Sequence, residues 1–396
     1  MERFIRPMAP GWFAAVIGTA VTSLAFTLMA KVAPGFAIVE LLADAFHYLA
    51  IGMMTLLGIA ALIRVVRWPE AVIATIRHPV EGSFYVTFPL AMLVMAAEWT
   101  VYGMSTAAIT PLWWVGALGT LFVSYLVLFG LFTDEKLKLT MVTPAHFIPA
   151  VGLVVTPVAG ASLAAQAEGV LREVYFGINM MGFGAGIFMY IGLLALTMAR
   201  HFLGSPVEGK MTPTLWVHLA PLSVIPLSML ALLHTTSDPS ILRYGTLVAS
   251  AFLGAALWWL VLAVSMTVRN VRQGKLPFAL SWWAFVFPIG AAAVLSFRLS
   301  GLLDTAILPY IAMSLTFLAF TVWSAAAVGT VKGLLNGSIF APAHKSSIHL
   351  RQTITFIHHS QPSLRKGGCF FAFRAKSFFS HRLTHAHDFA YSVDFH

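Results

Sequence analysis

Ten stretches of the chain are apolar over about 20 residues, the length a helix needs to cross the hydrocarbon of a bilayer. They run over 8–31, 38–63, 82–103, 109–133, 141–166, 175–200, 212–235, 243–268, 278–298 and 305–332. Several carry no charge at all, as in Gly245 to Val268 and Thr305 to Val331. The pattern predicts an all-α integral membrane protein with ten transmembrane helices. The first stretch stays uncharged from Pro7 to Ala30, with no small-residue cleavage site ending a shorter apolar run. It is therefore read as a spanning helix and not as a removable signal.

The odd-numbered stretches share an opening. Pro10, Pro79, Pro144, Pro213 and Pro277 stand at or close to their starts, spaced by 69, 65, 69 and 64 residues. Proline suits a helix's first turn, but five near-equal spacings point further, to five copies of one helical hairpin. The odd stretches also hold Pro89, Pro149, Pro157, Pro221, Pro226 and Pro288, while the middles of the even stretches hold none. A mid-helix proline frees a carbonyl and bends the helix. Lipid cannot satisfy that carbonyl, whereas protein or a wet cavity can. The expected arrangement has odd helices inside around a central pore and even helices outside. Gly182 and Gly186 have the small-xxx-small spacing of close helix packing.

Composition supports the lipid reading. Hydrophobic residues make up 59% and charged residues 10% of the 396, against about 25% charged in soluble domains. The net charge of +9 needs no nucleic acid partner, since basic loops on the cytoplasmic side account for it. The N-terminus and the loops after even helices carry twelve bases: Arg3, Arg6, Arg64, Arg67, Arg77, Lys136, Lys138, Arg200, Lys210, Arg269, Arg272 and Lys275. The opposite loops carry four, Lys31, Arg172, Arg243 and Arg298. This asymmetry predicts cytoplasmic termini. One cysteine, Cys369, excludes a disulfide framework and a cysteine-based zinc site.

Residues 341–396 break the pattern. They hold eight of the fourteen histidines and the single cysteine, mixed with Phe, Lys and Arg. The spacings of His358, His359, His381, His385 and His387 match no zinc pattern well. The alternatives are a basic aromatic strip on an anionic leaflet and an accidental, disordered extension. The domains expected are thus 1–340 and a separate tail.

Ionisable groups in the spans are candidates for function. Glu40, Asp44 and His47 share a helical face at the start of the second stretch, and Glu98 lies near the end of the third. All four read as a wetted outer rim. His146 and His218 stand just after Pro144 and Pro213. They are either proton-coupling groups or histidines bonded to carbonyls freed by nearby prolines. A haem site would need facing mid-membrane histidines, which no helix pair supplies, so no cofactor, no metal and no enzyme activity are expected.

Several segments carry a resemblance. They are Met8-Ala-Pro-Gly-Trp-Phe-Ala-Ala-Val-Ile-Gly18, His78-Pro-Val with Phe84 and Phe88-Pro89, Thr143-Pro-Ala-His-Phe-Ile-Pro149-Ala-Val, Leu219-Ala-Pro221, Ser281-Trp-Trp-Ala-Phe-Val-Phe-Pro288 and the closing Gly333 to Phe340. In this order, over about 7–340, the chain resembles the tellurite-resistance/dicarboxylate transporter family. That family includes bacterial TehA, yeast malic acid and sulfite carriers, and plant slow anion channels. The resemblance implies a homotrimer in the bacterial inner membrane with one anion pore per subunit. It implies a phenylalanine gate at Phe287, faced by the small residue Ala14, where the family often has glycine. Gly18, Phe88, Pro89, Pro149, Pro157, Pro221, Pro226 and Pro288 are the pore-lining candidates. A proton-coupled carrier of dicarboxylate, sulfite or tellurite is the alternative within the family.

Overall fold

A computed structural model describes residues 2–78, 80–135, 139–204, 209–235, 238–337 and 339. The expected tail, 341–396, lies outside the described residues. Among these residues there is no strand, and ten helices are long and apolar enough to span a membrane. We number them α1 (Pro10–Val32), α2 (Ala37–Arg67), α3 (Glu81–Tyr102), α4 (Thr106–Phe132), α5 (Pro144–Gln166), α6 (Gly169–Leu203), α7 (Met211–Leu233), α8 (Pro239–Arg272), α9 (Leu280–Leu303) and α10 (Ile307–Leu335). In lipid a backbone must satisfy its own hydrogen bonds, and a helix does so within one segment.

Odd and even helices differ in surroundings. The most apolar windows of the odd helices are 61–83% buried, and those of the even helices only 17–28%. The odd helices touch one another in closed order: α1 on α3, α3 on α5, α5 on α7, α7 on α9, and α9 back on α1. Each even helix packs on the odd helix before it. Phe122, Phe188, Trp258 and Phe317 of the even helices stand exposed. So much apolar surface would be untenable in water, and lipid is its natural solvent.

Indole N–H groups tie the two layers together. Trp113 of α4 donates to the Thr156 carbonyl (2.9 Å), Trp259 of α8 to the Leu215 carbonyl (3.0 Å), and Trp323 of α10 to Thr19 Oγ1 (2.9 Å). Gly182 and Gly186 bring α6 onto α5. A Cβ at either would lie 2.8 Å from a backbone oxygen of α5, that of Leu153 or Ala150.

The even helices, at 27–35 residues, exceed the odd ones, at 22–24. The expected boundaries stopped short of Arg64, Arg67, Arg269 and Arg272 and ended on Arg200, and all five were counted with the loops. These residues instead form or precede the last turns of α2, α6 and α8. Cations there meet the negative end of the helix dipole; the long stems of Arg67, Arg269 and Arg272 let the charge reach water, whereas Arg64 is buried. At the other end of α8, Asp238 accepts from Ser240 N–H (2.8 Å) and Ser240 Oγ (2.6 Å). These bonds hold its carboxyl below the usual carboxylate range.

Each odd helix opens in a tighter 3₁₀ segment and turns α-helical at Phe13, Thr87, Phe147, Leu219 or Trp283. This revises the proline expectation. Pro89, Pro149 and Pro221 are each the third residue of the α-helical part, at its junction with the 3₁₀ segment. Only Pro157, Pro226 and Pro288 interrupt a helix interior, and the even helix α4 holds Pro111 inside as well.

Candidate functional site

The axis of the odd-helix ring carries a regular wall. α1 contributes Ala14, Ile17, Val21 and Leu24, and α3 contributes Thr87, Leu90, Val94 and Ala97. α5 contributes Ile148, Val151, Val155 and Val158, and α7 contributes Val217, Ala220, Val224 and Leu227. α9 contributes Ala284, Phe287, Ala291 and Val294. In all five helices the steps are three, four and three residues, the spacing that keeps side chains on one helical face. Five faces in the same register converge on one axis.

Two cavities lie along that axis. The near one, about 60 Å³, is walled by the first two residues of each stripe. The far one, about 30 Å³, is walled by the last two. Phe287 lines both. Its counterparts in the same layer are Ile17, Leu90, Val151 and Ala220, so α9 alone brings an aromatic ring there. Each volume is on the scale of one or two waters. The stripes carry no charge. Their single polar side chain, Thr87, has its hydroxyl oxygen 2.9 Å from the Pro10 carbonyl and 2.6 Å from that of Phe84, and its one hydrogen is shared between them.

Beyond the near cavity a wider vestibule of about 290 Å³ opens, sharing Ala14, Phe84 and Ala284 with it. Arg64 lines this vestibule and is 7% exposed. Its guanidinium donates to the Arg6 carbonyl (3.1 Å), Tyr85 Oη (2.7 Å), Thr75 Oγ1 (3.0 Å) and the Ala71 carbonyl (3.4 Å). All four acceptors are neutral, and among the described residues no carboxylate lies within salt-bridge distance of it. The charge is held in place by neutral partners, while the exposed carboxylate of Glu81 lines the same vestibule. No sequence signal set Arg64 apart from the other bases at helix ends; only burial does.

The remaining candidates fall as follows. Ala14 and Pro288 line the near cavity with Phe287. Gly18 presses on α9, where a Cβ would stand 3.1 Å from Val286. Phe88 packs edge-on against Phe13, with ring centres 5.0 Å apart. Pro89 backs onto Gly119 of α4. Pro149, Pro157, Pro221 and Pro226 are buried in their helices and outside the two cavity walls. His146 is buried, and its Nδ1 accepts from Thr143 N–H (3.1 Å), closing a capping box. His218 is buried between Phe147 and Trp259, at ring distances of 4.6 and 4.4 Å. Neither histidine lines the cavities.

The outer-rim expectation fails for two residues. Glu40 and Asp44 are exposed. His47 and Glu98 are each 1% exposed and face each other, with His47 Nδ1 at 2.9 and 3.1 Å from the two carboxylate oxygens. Reading one helix at a time hid this contact, because the partners are 51 residues apart.

The voltage-dependent anion channel family matches residues 7–331, the whole ring with most of α10. The chain belongs to this family. An uncharacterized transporter of Methanocaldococcus jannaschii is 32% identical over 340 residues, covering 86% of this chain and 98% of that protein. A sulfite efflux pump of Arthroderma otae is 24% identical over 71% of this chain and 78% of its own length. A malic acid transport protein of Schizosaccharomyces pombe is 23% identical over 61% and 60%. The protein is thus a multi-pass membrane protein of an anion-transporting family, similar to transporters and not to enzymes.

Proposed function

We propose that small anions cross the membrane along the axis of the odd-helix ring and that the Phe287 ring closes the path. The observation that carries this reading is Phe287 as the common wall of the two axial cavities. An uncharged wall suits flux, because a fixed cation inside would hold an anion too tightly to release it. Selection then belongs at the mouth. Arg64, buried among neutral partners and deeper than the exposed Glu81, draws anions into the vestibule, and the amino ends of five helices add partial positive charge. At the ring, water is excluded and passage waits on movement of one side chain. In this proposal the mouth with Arg64 is cytoplasmic, the assembly is a homotrimer, and the substrates are small oxyanions and carboxylates of the sulfite and malate kind.

The test is flux from liposomes loaded in turn with sulfite, malate, tellurite, nitrate or chloride. Passage of at least one anion, accelerated in the Phe287→Ala variant, is expected. Cation passage, or no anion passage by either protein, overturns the proposal. A proton-coupled carrier is the second reading, and the buried His47 and Glu98 favour it.

A further inference from the structure

We infer that His47 and Glu98 form a proton-binding site whose occupancy sets the charge beside the far cavity and thereby the ease of anion passage. The inference rests on the axial path proposed above. The pair joins three helices. Glu98 follows Ala97, and Ser23 precedes Leu24; Ala97 and Leu24 both line the far cavity. The site therefore sits immediately behind the wall. A buried carboxylate in a membrane helix is costly and is retained where its charge or its proton serves a purpose.

The hydrogen bonds show how a proton is registered. Ser23 Oγ lies 2.9 Å from Glu98 Oε1 and 3.0 Å from the Ala43 carbonyl. It has one hydrogen and two acceptors. With Glu98 ionised, the hydroxyl is drawn to the carboxylate. With Glu98 protonated, it is released to Ala43 of α2. The pair holds zero, one or two protons, with net charge −1, 0 or +1, and these steps belong to both residues together. Each proton taken up makes the ground behind the far cavity more positive, which favours an anion there. Acid should therefore speed passage.

Access is from the far side of the membrane. The Tyr102 ring stacks on the His47 ring at 3.9 Å and 2°. Its hydroxyl donates to exposed Asp44 Oδ1 (2.8 Å). One ring thus separates the pair from the surface. The other charged or titratable groups nearby are Tyr48 of α2, whose ring centre is 5.1 Å from that of His47, and Lys31, whose Nζ donates to the Val101 carbonyl at 2.6 Å. α4 carries no charge along its length. α9 and α10 bring Phe297, Phe320 and Trp323 to the neighbouring cluster, and Arg298 of α9 is exposed.

The experiment uses the full chain in liposomes, with chloride and nitrate as probes, since neither changes charge between about pH 5 and 8. Acidifying the far side should raise flux about tenfold, the effect of one unit charge about 10 Å away at an effective dielectric of about 20. Glu98→Gln, which leaves His47 as the one proton acceptor of the pair, should weaken that dependence while still forming protein that melts cooperatively. Infrared difference spectra between the two pH values give a readout free of transport. A protonated-carboxyl band should appear in the wild type and vanish in Glu98→Gln. Flux that responds equally to pH in wild type and Glu98→Gln, or a band that survives the substitution, overturns the inference. A titrating band that belongs to Glu98, in a protein passing no anion, supports the proton site and overturns the axial path instead.

Discussion

Gly290 of α9 lies against Val21 of α1 so closely that a Cβ at Gly290 would stand 2.6 Å from Val21 Cγ1 and 2.9 Å from Cγ2. The contact closes the odd-helix ring between its first and last members. It sits one turn beyond Phe287, and Val21 itself lines the far cavity. Substituting Gly290 with Leu should spread α1 from α9 one turn beyond Phe287. Overpacking of this kind costs about 1–3 kcal/mol. The expected result is a lower melting temperature in detergent; an unchanged one would mean the ring closes loosely.

Phe287→Ala should raise anion flux on the order of tenfold or more, a barrier lower by about 1.4 kcal/mol. Truncation joins the two cavities and places no charge in the path. Flux equal to or below wild type, in folded protein, would place the constriction elsewhere.

Ala14→Asp should abolish passage. Ala14 borders both the vestibule and the near cavity, so a carboxylate there repels the permeant ion. Ala14 is the fifth residue of α1, so the insertion cost falls below the about 2.5–3.5 kcal/mol of a charge at a helix centre, and amounts in the membrane must be matched before fluxes are compared. Normal flux from well-inserted variant would remove α1 from the path.

Arg64→Gln should weaken anion entry, and the loss should depend on salt. Screening shortens from about 10 Å at 0.1 M to about 3 Å at 1 M. The variant should therefore differ most from wild type at low ionic strength. A deficit that stays constant across salt would assign Arg64 to packing, through its four hydrogen bonds, and not to attraction.

The repeat shows where sequence reasoning reached and where it stopped. Pro10, Pro144 and Pro213 each precede the first wall residue of their helix by four positions, but Pro79 and Pro277 precede theirs by eight and seven. Counting prolines therefore found five copies while misaligning two by about one turn. In α3 the 3₁₀ opening is six residues long against three in α1 and α5, and in α9 Pro277 stands three residues ahead of the opening at Leu280. These openings are settled by packing at the helix starts, which local sequence does not encode.

What the sequence determined alone was the solvent, the ten helices and the special character of the odd ones. Each follows from a local quantity: apolar length, charge content or proline position. Which face of each odd helix meets the axis was decided only by the tertiary structure. These helices are apolar all round, so no hydrophobic contrast marks an inner side. The same holds for the ionisable groups. Glu98 near a helix end reads as wetted when its helix is considered alone. It is dry because His47 of α2 and Ser23 of α1 cover it. Arg64 is likewise one base among many until folding buries it beside the vestibule with neutral partners.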